Sequence, residues 1–576
     1  MDISAQIINK RGERNLVPVD FEITDWEALK VYFDQLIAME PASADDLGDF
    51  LKKVSELEAI VKEDMAWRYI NMTRDTESEE LRNKYQFFVE QILPHLSVYE
   101  DQLNRKIAEH PHFNDLDEEV YLTYTRSLKK QIELFREENI PLVSQAQMTS
   151  QQYGATVGSM SIEHEGETMT LQQAARLLED KDRALRESVW RKVGQRRAED
   201  TEKIHGILDK LIELRTQIAK NSGFTYFSEY IFPQLGRFDY QPKDTLAFHH
   251  AVETVAKPVY LKLMEERKQV LGVDTLKPWD LAVDIFGDEP LKPFEQVGDL
   301  ISRSIKMLGS LNPVLGNMIQ HMEEKGFLDL ESRMGKAPGG YNYPLAETGV
   351  PFIFMNATGS QSDVTTMLHE SGHAVHSFLT HDLSLNAFKD TPSEIAELAS
   401  MTMELLTLES YHYMYPEEKE RKRAIKEQLV RCIMIFPWIA AIDAFQKWLY
   451  EHPEHTHEER GEAWTAVYKR FHGDAIDWSG LEDHMSVMWQ KQLHIFEVPF
   501  YYIEYAIAQL GALAIWKNYK ENEELGLSQY IDALKMGYTK PIPDAYKAAG
   551  ISFDFSADYM RECLEFCLAE YQKIEI

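Results

Sequence analysis

Apolar residues recur at intervals of three and four positions through most of the chain before residue 330, a spacing that places them on one face of an α-helix. In the first such segment the spacing follows a Thr24-x-x-Glu27 capping box, which predicts a helix beginning after Thr24. Its apolar positions are Trp26, Leu29, Phe33, Leu36 and Ile37. Similar spacing predicts helices within residues 47–108, 117–138, 171–222 and 242–271. We therefore expect a mainly α-helical protein.

One segment in this part departs from the helical pattern. Residues 161–171, SIEHEGETMTL, alternate around Glu165-Gly166-Glu167, which predicts a small β-hairpin. The pair Thr170 and Gln173 then predicts a capping box at the start of the next helix.

The composition changes near residue 335. Residues 335–360 carry Gly, Pro and Asn around the apolar run Val350 to Met355, which predicts a loop, a strand and a second loop. We expect an N-terminal helical region over residues 1–334 and a catalytic region over residues 335–576. The two are expected to pack as one body.

Composition and charge narrow the function classes. Hydrophobic residues make up 44% and charged residues 27% of the 576 positions, as in folded globular proteins. Lys and Arg number 61 and Asp and Glu 95, so the formal net charge is −34. Such a chain repels phosphate backbones and anionic lipid. Nucleic acid and membrane partners are therefore not expected.

The cysteines and the apolar stretches predict a cytoplasmic location. Cys432, Cys563 and Cys567 are the only cysteines, and the last two have the spacing of helix neighbours rather than of a CxxC pair, which fits a reducing compartment. The N-terminal residues lack the apolar core of a signal peptide. Polar residues interrupt Ile433 to Phe445 and Val498 to Trp516 before either reaches the ~18 apolar residues of a membrane span.

The segment HESGH, residues 369–373, suggests a metal site. On a helix His369 and His373 lie one turn apart on one face, so both imidazoles can reach one ion, and Glu370 can contact a bound water. Zinc suits two imidazoles and a third protein ligand, which leaves the fourth position open for water. The alternative is a chance combination of polar residues in a non-enzymatic helical interaction protein.

The third ligand is expected in residues 390–406, DTPSEIAELASMTMELL. Thr391 as N-cap, a proline at N1 and Glu394 at N3 predict a helix start, so we assign Glu394 to capping and Glu397 to the metal. Glu394 remains the rival ligand. Glu404, seven residues after Glu397, shares its face and is expected to hydrogen-bond the far nitrogen of a ligand histidine. His376 is a weaker third-ligand candidate, or else a supporting or packing histidine.

A second group of polar side chains lies far downstream. His494 precedes Tyr501, Tyr502 and Tyr505 in residues 489–516. Phenol and imidazole groups could donate hydrogen bonds to the oxyanion that forms during peptide hydrolysis. An aromatic stripe in a helix core explains the same spacing equally well.

Three segments together resemble the M3 family of zinc metallopeptidases, which includes the thimet oligopeptidase, neurolysin and oligoendopeptidase F groups. They are HESGHAVHSF at 369–378, SEIAELASMTMELL at 393–406 and HIFEVPFYYIEYAIAQLGA at 494–512. The similarity is nearest to the oligoendopeptidase F and Pz-peptidase branch and strongest over residues 335–515. It implies a bilobed, multi-helical body with a deep central channel, much of whose wall residues 1–334 would form, and a small β element near the active site.

The resemblance also implies roles in catalysis. One zinc ion would be bound by two histidines and a glutamate, a neighbouring glutamate would act as general base and acid, and two residues would stabilise the oxyanion. The zinc ligands would be His369, His373 and Glu397. The general base and acid would be Glu370, and the oxyanion would be stabilised by His494 and Tyr505.

For the substrate, the resemblance implies an edge strand, Val350 to Met355, that pairs with the peptide backbone. The residues expected to bind substrate are Tyr501, Tyr502, Gly339, Gly340 and Phe354. The implied activity is endopeptidase cleavage of short unstructured peptides. The alternative is a zinc carboxypeptidase or dipeptidyl carboxypeptidase on a similar scaffold, and the oligomeric state is open.

Overall fold

The computed structural model describes residues 14–287 and 289–576 of the chain. The prediction that the N-terminus lacks a signal peptide concerns residues that lie mostly outside this range. The described part is mainly helical, as the apolar spacing predicts, with five short strands.

Helices fill most of the N-terminal half. They are α1 (Trp26–Ala38), α2 (Ala44–Arg74), α3 (Glu79–Phe87), α4 (Leu93–Ala108), α5 (Glu118–Leu134), α6 (Ile140–Gly158), α7 (Leu171–Leu177), α8 (Arg183–Glu199), α9 (Thr201–Asn221), α10 (Phe227–Gln234), α11 (Thr245–Ala251), α12 (Lys257–Leu271), α13 (Val297–Leu311) and α14 (Pro313–Lys325).

The C-terminal half is also helical after a short β segment. Its helices are α15 (Gln361–Thr380), α16 (Asn386–Lys389), α17 (Ser393–Leu406), α18 (Glu418–Glu451), α19 (His457–His472), α20 (Glu482–Ser486), α21 (Leu493–Glu497), α22 (Ile503–Glu521), α23 (Glu523–Lys535), α24 (Ile542–Ala548) and α25 (Ala557–Gln572).

The predicted apolar face of α1 is buried, but its predicted start is wrong. Asp25, not Thr24, is the N-cap, and its carboxylate accepts a hydrogen bond from the Ala28 backbone N–H at 2.9 Å. The Thr24 hydroxyl instead donates to Asp25. Either residue type can cap a helix. Here the cap falls on the residue directly before the first buried side chain, Trp26.

The predicted hairpin is confirmed. Strand β1 (Ser161–His164) pairs antiparallel with β2 (Glu167–Thr170). The turn between them places Glu165 at φ +52° and Gly166 at φ +87°, as a two-residue hairpin turn requires. The Thr170 and Gln173 capping box is present at the start of α7.

The strand near residue 350 is present, but its predicted place at a sheet edge is wrong. Strand β5 (Phe352–Ala357) is central in a three-stranded sheet, parallel to β3 (Leu328–Glu331) and antiparallel to β4 (Tyr341–Tyr343). A continuous apolar run is typical of a strand covered on both faces, so the run itself favours the central position. Strand β4 lies at one edge of this sheet and β3 at the other.

Two large clusters of buried apolar residues stabilise the fold. The larger extends from Tyr153 on α6 to Tyr571 on α25 and so joins both halves of the sequence. The smaller lies among the N-terminal helices and includes Leu385 and Phe388 from the C-terminal half. Both clusters contain residues from either side of residue 335, while the division there and the packing of the two regions as one body stay predictions.

One described helix, α18, is long and apolar enough in composition to cross a membrane, with a mean hydropathy of 1.5 over an 18-residue window. Of that window, 67% is buried inside the fold. Asp443 within this helix is buried and pairs with His249 at 2.8 Å. The apolar side chains of α18 thus pack in the protein core.

Candidate active site

Helix α15 carries the HESGH segment and has a well-defined start. Ser360 is its N-cap, and Ser360 and Asp363 form a reciprocal capping box. The helix then runs through both histidines. Their side chains are 17% and 18% exposed, in contrast to the fully buried Leu368 and Val375 on the same helix. His369 and His373 therefore face an accessible space.

Helix α17 supplies the carboxylates, but it begins differently from the prediction. Pro392 occupies the N-cap position, no side chain caps the helix, and Glu394 does not form the predicted capping box. Glu394 is fully buried, accepts a hydrogen bond from the Tyr240 hydroxyl and lies 3.2 Å from Arg237. Its side chain is engaged in this cluster and not with the histidines.

Close packing between α15 and α17 brings the two histidines and Glu397 together. A Cβ built on Gly372, between the histidines, would lie 2.6 Å from Ser400 Cα and 2.7 Å from the Ala399 carbonyl oxygen. Real Cβ atoms essentially never approach that closely. Gly372 therefore allows the backbone of α17 to approach α15 one turn after Glu397.

The result is a cluster of three potential metal ligands. One donor atom each from His369, His373 and Glu397 lies within 4.8 Å of the other two. Glu397 Oε2 is 3.2 Å from His369 Nε2 and 3.5 Å from His373 Nε2. Two imidazoles and one carboxylate form a common ligand set of catalytic zinc, so the residues present fit this metal.

The electrostatics of this cluster favour a positive charge. Burial opposes charge on Glu397, but attraction to His373 and His369 and hydrogen bonds from both lower its pKa well below the ordinary value. Burial likewise opposes charge on His369, yet contacts with Glu397 and Glu404 raise its pKa well above the ordinary value. A proton or a metal cation can satisfy these groups.

A chain of hydrogen bonds supports His369 from behind. Glu404 Oε1 lies 2.7 Å from His369 Nδ1, as the sequence predicts, and Glu404 Oε2 accepts from Gln428 Nε2 at 2.7 Å. The Thr365 hydroxyl donates to Gln428 Oε1 at 2.9 Å. These contacts fix the orientation of the imidazole. Gln428 on α18 was missed, because no local pattern marks it as a partner of α17.

Glu370 lies beside the cluster without a partner for one of its oxygens. It is 5% exposed, and its Oε2 has no hydrogen bond among the described residues. Burial raises its pKa above the ordinary value of a glutamate. The other carboxylate oxygen, Oε1, lies close to Gly340, because a Cβ built on that glycine would be 3.7 Å from it. Its surroundings favour the uptake of a proton.

The downstream tyrosines lie at the same site. The Tyr501 hydroxyl donates to Glu397 Oε1 at 2.6 Å. His494 Nε2 lies 3.3 Å from the Tyr505 hydroxyl, and the Tyr502 ring packs against His494 with centroids 4.8 Å apart. Burial lowers the pKa of His494 to about 4, so this imidazole is neutral near pH 7. The cluster is thus part of the site, not only an aromatic stripe.

Two family models match most of this chain. The family model Peptidase family M3 matches residues 176–565, and the Peptidase M3 N-terminal domain matches residues 17–135. The chain belongs to peptidase family M3. The M3 model begins well before residue 335, within the region expected to be N-terminal.

Curated relatives of this M3 peptidase match over part of their length. Oligopeptidase PepF of Bacillus subtilis is 26% identical over 318 residues, which cover 53% of this chain and 45% of the relative. Chromosomal oligoendopeptidase F of Lactococcus lactis subsp. cremoris is 22% identical, covering 55% and 52%. The alignments thus span about half the length of these relatives.

Solved structures match over nearly the whole chain. The structure of PZ peptidase A with inhibitor 2 superposes with a TM-score of 0.92 at 27% identity, covering 96% of this chain and 98% of the other. A putative oligoendopeptidase F superposes with a TM-score of 0.91 at 25% identity, covering 97% and 98%. This M3 chain therefore has the same overall architecture as both.

A cavity of about 700 Å³ lies in front of the potential ligands of this M3 peptidase. Its lining includes Gly340, the residues of β4, Glu370, His494 and Tyr505. A second cavity of about 520 Å³ shares Lys62, Asp390 and Thr391 with it. Two adjoining cavities are consistent with the predicted channel.

Three of the residues expected to bind substrate, Tyr502, Phe354 and Gly339, are not among the described residues that line this cavity. Phe354 is fully buried in the central strand, and its ring stacks on Tyr341 at 4.7 Å, so its predicted substrate contact is wrong. The carbonyl of Gly339 accepts a hydrogen bond from Asn356 Nδ2 at 2.9 Å, beside the lining residue Gly340. Side chains alternate between the two faces of a strand, and Phe354 of β5 lies on the face where its ring stacks on Tyr341 of β4.

His376 lies one turn beyond the ligand pair and does not join it. The potential metal cluster contains only His369, His373 and Glu397 among the described residues. The His376 ring is 5% exposed, and burial lowers its pKa to about 3. Its Nε2 has no hydrogen-bond partner in the described part of the chain. His376 therefore packs as a neutral, mostly buried side chain that forms part of the cavity wall.

Proposed function

We propose that this protein is a zinc-dependent oligoendopeptidase that hydrolyses internal bonds of short, unstructured peptides. The cluster of His369, His373 and Glu397 beside the partly unpartnered Glu370 carries the proposal. Membership of family M3 and the relatives called oligopeptidase or oligoendopeptidase support a peptide substrate.

The three potential ligands would hold one zinc ion. When bound, zinc would supply Lewis acidity that lowers the pKa of water and polarises the scissile carbonyl. Glu404 would keep His369 in one orientation through its hydrogen bond to Nδ1. Tyr501 and Ser400, which both donate to the Glu397 carboxylate, would hold that side chain in place.

Glu370 would move the proton. Its raised pKa suits a group that accepts a proton from the attacking water and then delivers it to the leaving nitrogen. The oxygen without a partner in the described structure is available for that water. Tyr505 would donate a hydrogen bond to the developing oxyanion, with neutral His494 beside it.

Strand β4 would bind the peptide backbone. It is the outer strand of the sheet on its side, and Tyr341, Asn342 and Tyr343 line the cavity of the site. An outer strand can add an extended peptide through main-chain hydrogen bonds. This assigns to β4 the role that the sequence assigned to β5. The channel walls would admit short peptides and exclude folded proteins.

Peptides blocked at both ends test the activity. The zinc-loaded protein is expected to cleave them internally, because an endopeptidase needs neither terminus. Mass spectrometry of the products, with and without a chelator, gives the cleavage positions and the metal dependence. Cleavage restricted to peptides with a free carboxyl terminus would instead indicate a carboxypeptidase or dipeptidyl carboxypeptidase.

A cytoplasmic location belongs to the same proposal. Cys432, Cys563 and Cys567 are buried free thiols in the described structure, which fits a reducing compartment. Fractionation of the source cells with detection of the native protein would test the location. Recovery in an extracellular or membrane fraction would contradict it.

A further inference from the structure

The backbone of Phe500 adopts an unusual conformation next to the site. Its φ is +66°, in the left-handed region that non-glycine residues rarely occupy. Among the described non-glycine residues only Glu165 shares a positive φ, and Glu165 lies in the hairpin turn. Phe500 is the third residue of a turn from Val498 to Tyr501, which a hydrogen bond from the Tyr501 N–H to the Val498 carbonyl closes at 3.2 Å, and a positive φ at that position is usually adopted by glycine or asparagine. A strained residue of this kind persists only where its surroundings hold it, often at functional sites.

Two buried polar side chains hold the peptide groups of Phe500. Its N–H donates to Gln446 Oε1 at 2.8 Å, and its carbonyl accepts from Arg237 Nη2 at 2.7 Å. The Phe500 side chain is 3% exposed and packs near Tyr450 and Phe227. Both polar groups of the residue and its ring are therefore constrained from outside the segment.

Phe500 lies in the link between α21 and α22, where its conformation sets the direction of the next residues. His494 lies on the helix before it, and Tyr501 follows it directly. The Tyr501 hydroxyl reaches Glu397 at 2.6 Å, while Tyr505 reaches His494 at 3.3 Å. A change in φ at Phe500 would rotate the tyrosines relative to His494.

Arg237 connects the link to both helices of the site. Its Nε donates to Glu504 on α22 at 3.0 Å and lies 3.2 Å from Glu394 on α17. All three side chains are fully buried. Glu394 precedes Glu397 by one helical turn, and Glu504 directly precedes Tyr505. One guanidinium thus holds the strained peptide, the helix of the potential metal ligand and the helix of the tyrosines.

We propose that Phe500 is a positioning residue whose left-handed backbone, held by Arg237 and Gln446, aims Tyr501 at Glu397 and Tyr505 at His494. The catalytic consequence rests on the proposed peptidase function. The geometric claim is separate, because the tyrosine positions can be measured without turnover. Phe500 itself is not one of the described residues that line the cavity.

The matched variants Phe500→Leu and Phe500→Ile test the proposal. Both remove the same ring and introduce side chains of the same composition, but only isoleucine is branched at Cβ. Branching at Cβ makes a positive φ especially unfavourable. We expect kcat of Phe500→Ile to be at least about tenfold below that of Phe500→Leu, with both proteins loaded with zinc and with similar KM.

Equal kcat values for the two variants, or a higher value for isoleucine, would overturn the proposal, because lost packing affects both alike. Crystal structures of the two variants provide a readout that does not depend on activity. The Tyr501 hydroxyl is expected within hydrogen-bond distance of Glu397 in the leucine variant and displaced in the isoleucine variant. Unchanged tyrosine positions in both would contradict positioning.

Variants of Gln446 cover the case in which the isoleucine variant does not fold. Gln446→Glu keeps an oxygen that can accept from the Phe500 N–H, whereas Gln446→Leu removes it. We expect a lower kcat for Gln446→Leu and recovery in Gln446→Glu, and equal values would contradict the proposal. If the wild-type protein loaded with zinc cleaves no blocked peptide, the peptidase proposal fails, and the crystal structures alone decide the positioning role.

Discussion

Gly372 on α15 faces Ser400 on α17 so closely that a Cβ on the glycine would lie 2.6 Å from Ser400 Cα. This backbone contact occurs between the two histidines of the HESGH segment and one turn after Glu397. The distance between the helices, and with it the fit of the three potential ligands, depends on the absence of a side chain at this glycine.

For Gly372→Ala we therefore expect α17 to move away from α15. Overpacking of this kind costs about 1–3 kcal/mol of stability, and we expect at least a tenfold loss of zinc affinity. Zinc titration and thermal melting measure the two effects. Gly206→Ala on α9 is the matched control, because no atom lies within 4 Å of a Cβ built there. Equal zinc affinity in both variants would contradict the close-packing argument.

The proton-transfer role of Glu370 predicts a separation between metal binding and turnover. Glu370→Gln keeps the shape of the side chain but cannot accept a proton. We expect the variant to retain zinc and to lose about 10²–10⁴-fold in kcat. Zinc content by atomic absorption and turnover of a blocked peptide are the measurements. Substantial hydrolysis by the zinc-loaded variant would remove Glu370 from this role.

The contact between Tyr505 and His494 predicts an effect on the transition state. For Tyr505→Phe we expect kcat to fall by about 10²-fold with little change in KM, as for the loss of one oxyanion donor. Tyr530→Phe is a control of the same chemistry, because its hydroxyl donates to the Ala399 carbonyl at 2.7 Å, outside the site cavity. An unchanged kcat in Tyr505→Phe would exclude this donor.

The two glutamates of α17 are expected to differ in their effect on zinc. Glu397→Ala should abolish stoichiometric zinc binding, because it removes the only carboxylate of the cluster. Glu394→Gln should retain zinc and instead lower the melting temperature, since Glu394 contacts buried Arg237. Isothermal titration with zinc and thermal melting distinguish them. Zinc loss only in Glu394→Gln would reverse the assignment.

The hydrogen bond that His369 Nδ1 donates to the Glu404 carboxylate predicts a graded effect on affinity. For Glu404→Ala we expect zinc affinity to fall by about 10–100-fold, as for other partners that orient a ligand histidine. Gln428→Leu should cause a smaller loss, because it removes only the contact that orients Glu404. Competition with a chelator of known affinity measures both. Wild-type affinity in Glu404→Ala would show that this contact does not support the metal.

Some of the site follows from spacing within single helices. His373 follows His369 by four positions and Glu404 follows Glu397 by seven, and helical geometry places each pair on one face whatever surrounds the helix. The hairpin around Gly166 was likewise predictable, because a positive φ is a local property of the residue. These predictions needed only the backbone geometry of one element.

Other features were decided by packing between distant segments. Gln428 reaches Glu404 from another helix, Arg237 reaches Glu504 across 267 positions, and β4 occupies the outer position assigned to β5. No periodicity within one element encodes such neighbours. The helix starts at Asp25 and Pro392 were also missed, since several nearby residues could cap and tertiary packing selects among them.

By itself, then, the sequence determined the helical class, the pairing of ligand residues along each helix and the likeness to family M3. The tertiary structure decided which strand lies at the edge of the sheet and how the Phe500 backbone directs the tyrosines. It also decided that Glu394 contacts the buried Arg237 while Glu397 lies with the two histidines. The physical reason is that periodicity and turn preference act within a few residues. The meeting of two helices depends instead on which side chains, or which glycine, the whole fold places between them.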